Sequence, residues 1–86
     1  MNLEEQLMRL KEKSEIAEKT CDTLLSIAFN FFAMAESERD ITLKHRFYLW
    51  RGARFQHRGI GYHLNACKYK RQDSDLRARY KLRNDR

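Results

Sequence analysis

Proline is absent from this 86-residue chain, glycine occurs three times and cysteine twice. Each shortage removes a class of answer. Without proline and with so little glycine, a turn-rich sheet fold lacks its punctuation, and long helices are the expected alternative. Cys21 and Cys67 are far apart in sequence and form no CxxC pair, so neither a zinc site nor a redox dithiol is indicated. They read as small apolar core residues of a reduced, cytoplasmic protein, with an intramolecular bridge across antiparallel helices as the other option.

Long apolar runs are missing too. The most apolar stretch, residues 24–35, is interrupted by Ser26 and Asn30 and falls short of the ~20 residues a membrane span needs. No secretory leader is expected, because Glu4 and Glu5 stand where a basic segment would be. Catalytic constellations are also lacking. Ser14, Ser26, Ser37 and Ser74 have no nucleophile-elbow context, and the histidines lie in a basic window without supporting carboxylates or the i, i+4 metal spacing. No metal and no cofactor is expected, and the chain does not read as an enzyme.

The most informative shortage is local. Between Ile41 and Gln72 there is no Asp or Glu, while Lys44, Arg46, Arg51, Arg54, Arg58, Lys68, Lys70 and Arg71 all fall there. The same window holds His45, His57 and His63 and the aromatics Phe47, Tyr48, Trp50, Phe55, Tyr62 and Tyr69. Basic groups neutralise phosphates and release counterions, and aromatic faces offer stacking to unpaired bases. The window therefore reads as a polyanion-binding surface, with those eight cations and Phe47, Trp50 and Tyr69 as its candidate residues. Charge is divided unevenly along the chain: residues 1–36 carry net −3 and residues 37–86 net +9.

Residues 3–35 show a heptad pattern. Leu3, Leu10, Ala17, Leu24 and Phe31 fill one register, and Leu7, Ser14, Cys21, Ala28 and Ala35 the other, so one long helix with a narrow apolar seam is expected. Its mostly small second register invites close approach by a neighbour. Leu3, Leu7, Leu10, Ala17 and Leu24 are the candidate interface for a second copy. Ile16, Ile27, Phe29, Phe32 and Met34 widen the stripe, which predicts burial of that half on more than one side. Glu12, Glu15 and Glu18 with Lys11, Lys13 and Lys19 read as a solvated face.

Ser37-Glu38-Arg39-Asp40 resembles a capping box, so a second helix is expected to begin there and fold back as an antiparallel hairpin, the alternative being a single helix that continues through Ser37. On its wheel Lys44, Arg51, Arg54 and Arg58 share one side with Phe47, flanked by Trp50 and Phe55, while Ile41, Tyr48 and Gly52 form the seam. The basic strip then either faces solvent or pairs with the acidic first helix of the same chain or of a partner chain. Gly59-Ile60-Gly61 predicts a hinge, after which Leu64, Cys67 and Tyr62 or Tyr69 turn inward. Asp73, Ser74 and Asp75 predict the start of a short basic carboxy-terminal helix or tail bearing Leu76, Arg77, Arg79, Tyr80, Lys81, Leu82 and Arg83. The expected fold is a single all-α domain over 1–86: an acidic helix (1–36), a basic aromatic helical region (37–71) and the short basic end (73–86).

Arg58 and His63 make an R-x4-H spacing that is similar to the catalytic motif of HEPN ribonucleases. That resemblance implies a histidine that moves a proton and an arginine that stabilises charge building on phosphorus; Arg51 and His57 offer a looser version. In size, basicity and lack of an enzymatic signature the chain resembles the small accessory proteins of tailed phages that counter bacterial defence, among them the phage inhibitors of the ToxN endoribonuclease. The resemblance implies an antitoxin-like inhibitor working in the host cytoplasm. Three readings follow. The first is a small nucleic-acid-binding protein, RNA favoured, that acts through phosphate contacts and in the fuller form of this reading inhibits an RNA-acting enzyme. The second is a homodimeric interaction module that docks on an acidic or RNA-bound protein. The third is the HEPN-like ribonuclease.

Overall fold

Two long helices account for nearly all of the computed structural model, which describes residues 2–38 and 42–84, with side chains as far as Lys81. Helix α1 spans Leu3–Ser37 and α2 spans Leu43–Asn84. They pack along their length as an antiparallel hairpin, so the expected all-α fold, the long heptad helix and the hairpin are observed. A 42-residue helix at 1.5 Å per residue is about 63 Å long, which accounts for a molecule measuring 68 × 16 × 14 Å.

Both helices start on side-chain caps. Asn2 Oδ1 accepts from the Glu5 amide at 2.8 Å, and Glu4 and Glu5 set negative charge at the positive end of the α1 dipole. For α2 the cap is Thr42, whose hydroxyl oxygen accepts from the His45 amide at 3.2 Å. Ser37 is therefore not the start signal of the second helix. It is the last residue of α1, and its hydroxyl donates backward to the Met34 carbonyl at 2.7 Å. Arg39, Asp40 and the seam residue Ile41 lie outside the described residues, as do the side chains of Leu82 and Arg83.

Small side chains bring the helices together. Ser14, Ala17, Cys21, Ala28 and Ala35 of α1 are buried, and against them lie Gly52, Gly59 and Ala66 of α2, spaced seven apart. Seven-residue spacing on both partners keeps one narrow stripe in register over many turns. A Cβ on Gly52 would stand 2.7 Å from Phe32 Cε1, and one on Gly59 would stand 3.1 Å from Leu25 Cδ2 and 3.4 Å from the Cys21 carbonyl oxygen. Gly52 thus permits the close approach expected of it. Gly59 does the same, in place of the hinge its neighbourhood suggested.

Helix α2 runs unbroken through Gly59, Ile60 and Gly61, and no glycine adopts a positive φ. Helical hydrogen bonding and the packed Gly59 outweigh the modest propensity cost of two glycines. The consequence reaches further along the chain. With no break, the inward register continues to Ala66, Tyr69, Asp73 and Leu76, so Leu64 and Cys67 stay exposed rather than turning inward. Cys21 is buried, Cys67 is exposed, and both are free thiols. Residues 73–84 continue α2 instead of forming a separate short helix. Arg77 Nε donates to Asp73 at 2.6 Å one turn away, using an expected helix-start residue to support the helix interior.

Candidate nucleic-acid interface

The seam leaves two flanks and an outer surface on α2. One flank carries the rows 24, 27, 31, 34 of α1 and 48, 51, 55, 58 of α2, brought together where Phe31 stacks on Phe55 (centroids 5.7 Å, interplanar angle 11°) and meets Tyr48 at 6.3 Å. Arg51 lies over both rings, 5.9 Å from the Phe31 centroid and 5.2 Å from that of Phe55. Lys13 covers Tyr69 further along the same flank at 5.9 Å. These are cation–π geometries in which the long side chain also shields apolar surface.

Arg54 lies over the half-exposed indole of Trp50 at 5.2 Å, and Phe47 packs beside Trp50 at 6.4 Å and Tyr48 at 5.9 Å. Trp50, Arg51, Arg54, Phe55 and Arg58 line a shallow groove of about 250 Å³. Among the described residues, none of Arg51, Arg54 and Arg58 has a carboxylate partner; the ion pairs present are Lys44–Glu38 at 3.8 Å, Lys70–Glu18 and Arg77–Asp73. The alternative in which this arginine row pairs with acidic α1 of the same chain is not what the chain adopts. Seven residues of helix separate Lys44, Arg51 and Arg58 in turn, placing them on one line at steps of about 10.5 Å.

The other candidates spread around the helix. Lys68 falls on the row of Phe47 and Arg54, while Arg46 and Arg71 are exposed away from the groove. Lys70 is taken up by Glu18, and that hydrogen bond, reinforced by the carboxylate's charge, raises the ammonium pKa above its ordinary value. Tyr69 is half-buried under Lys13. Residues 68, 70 and 71 are therefore not one cluster, because 100° per residue turns them to different sides.

Arg58 and His63 leave an unbroken helix about 140° apart, with Arg58 in the groove and His63 Nε2 3.8 Å from the Cys67 thiol on the other side. Within one hairpin they do not converge on a phosphodiester. Arg51 and His57 diverge by about 120° for the same reason. No group of three metal-ligating side chains and no helix apolar and long enough to cross a membrane is found among the described residues.

Leu3, Leu7, Leu10 and Leu24 are half-buried and Ala17 is buried, all against α2 of the same chain. His45 has a structural use that sequence reasoning passed over. Its Nδ1 is 2.8 Å from the Ala35 carbonyl oxygen at the end of α1, and since a carbonyl only accepts, Nδ1 carries the proton and donates. The available signal was its position seven residues before Gly52, in the small-residue register. Comparison with protein-family models, with curated proteins and with solved structures finds no match to this chain.

Proposed function

We propose that this protein binds RNA along the outer surface of α2, with Arg51, Arg54 and Arg58 contacting backbone phosphates and Trp50 and Phe47 offering ring faces to unpaired bases. The observation that carries the reading is the arginine row itself: three guanidinium groups along one groove, without carboxylate partners among the described residues, beside two exposed aromatic rings. An exposed, uncompensated cation row binds polyanions by counterion release. The adjacent rings favour single-stranded or looped RNA over the closed stack of a duplex. Lys68 extends the row at one end, and Lys44, 3.8 Å from the Glu38 carboxylate, at the other. By occupying RNA phosphates, a chain of this kind would restrain an RNA-acting enzyme without any catalytic group of its own.

The test is fluorescence anisotropy with a labelled single-stranded RNA over a range of salt concentrations. The logarithm of affinity should fall linearly with the logarithm of salt at a slope of about 0.7 per phosphate neutralised. Replacing Arg54 and Arg58 by alanine, which leaves Arg51 over its rings, should flatten the slope by about 1.4 while circular dichroism shows unchanged helicity. Full affinity with an unchanged slope would sink the assignment. Absence of RNA binding by the wild type would leave a protein-docking role for the same surface.

A further inference from the structure

The second flank of the seam carries the rows 25, 29, 32 of α1 and 49, 53, 56, 60 of α2, which the Phe31–Phe55 stack and the contacts of Gly52 with Phe32 and Gly59 with Leu25 place on the side opposite Arg51. Leu25, Phe29, Phe32, Leu49, Ala53, Gln56 and Ile60 contain no charge. Phe29 is 63% exposed, Ile60 49% and Leu49 42%. We propose that a second copy of this chain covers this flank, giving a four-helix bundle in which α1 of each hairpin lies on α2 of the other.

Area supports a large interface. A compact monomer of 10.4 kDa exposes about 5,400 Å², whereas this chain exposes 7253 Å². The excess, roughly 1,900 Å², is more than twice the ~800 Å² that each partner contributes to a standard interface. Its radius of gyration is 19.4 Å where a compact chain of this length has about 12 Å. The buried core consists of small side chains, and no large one is fully buried. A chain near this size with so thin a core is of the kind that gains stability by oligomerising.

Charge selects the arrangement. Stacking α1 on α1 would oppose like charges, whereas stacking α1 on the partner's α2 sets the net −3 of residues 1–36 against the net +9 of residues 37–86. A two-fold axis parallel to the helices does this and keeps both chains at the same height. The bare flank then carries Phe29 onto the small Ala53 of the partner subunit, and the exposed Glu36 comes level with Arg46 of the partner subunit. The arginine groove lies on the outer side of α2 and remains open, so this assembly is independent of the RNA reading.

Sedimentation equilibrium of nuclease-treated protein tests the proposal. The wild type should show twice the 10.4 kDa of one chain. Phe29→Glu and Ile60→Glu should each return it to the single-chain mass with helical circular dichroism retained, since both residues are exposed in the hairpin. Glu36→Arg should weaken the dimer at least several-fold, and adding Arg46→Glu should restore it. A wild type that stays at single-chain mass at high micromolar concentration overturns the proposal. So does a dimer whose mass survives both glutamate substitutions, because its interface would lie elsewhere.

Discussion

The two flanks of the hairpin are built from similar apolar side chains and meet different fates. On one, Phe31 and Phe55 are stacked and half-buried because Arg51 lies across them. On the other, Leu25 and Phe32 at the seam are likewise half-buried, but Phe29, Leu49 and Ile60 have no such cover and stand 42–63% exposed; Met34, beyond the reach of Arg51 on the first flank, is 41% exposed. Phe31 and Phe32 are neighbours in sequence, yet one turns to the arginine-covered flank and the other to Gly52 and the bare flank. A single long cationic side chain can finish an apolar surface within one chain. Where none reaches, apolar side chains stay exposed in the single chain.

The largest break in this comparison comes from forcing the seam apart, because both flanks depend on it. Ala28 is 1% exposed, so Ala28→Leu overfills the seam and should cost about 1–3 kcal/mol, read as a lower midpoint in thermal denaturation. An unchanged midpoint would mean the helices are not this close. Next in size is Arg51→Ala, which strips the cover from Phe31 and Phe55. Loss of the two ring contacts should cost about 1 kcal/mol, and the uncovered flank should raise the tendency to self-associate; a melting curve and a sedimentation mass both matching the wild type would show that the arginine covers nothing of consequence. The smallest effect sharpens the contrast between glycines. Gly61 has open space where a Cβ would go, so Gly61→Ala should raise stability by about 0.5–1 kcal/mol. Gly59→Ala, pressed against Leu25, should gain less or lose, and equal gains at both positions would remove Gly59 from the seam.

Much of this molecule was legible before its structure. The heptads at Ser14, Cys21, Ala28 and Ala35 announced a close-packed helix, and Tyr48 with Gly52 marked where α2 would meet it. Gly59 was misread because a glycine pair looks the same whether it opens a hinge or admits a neighbour; only Leu25 and Cys21, distant in sequence, decide between them. That misreading shifted the expected register and turned Leu64 and Cys67 inward. The arginine row at 51, 54 and 58 was visible as a wheel face. Its freedom from α1 carboxylates was not, since opposite charges on two helices are equally compatible with pairing and with facing apart.

Local composition by itself determined that the chain would be helical, amphipathic and electrically divided, because propensity, periodicity and charge are properties of short windows. Tertiary structure decided which small residues touch, that α2 does not break, and which flank its own arginine closes. Those outcomes depend on distances between side chains many turns apart, and no window of sequence contains them.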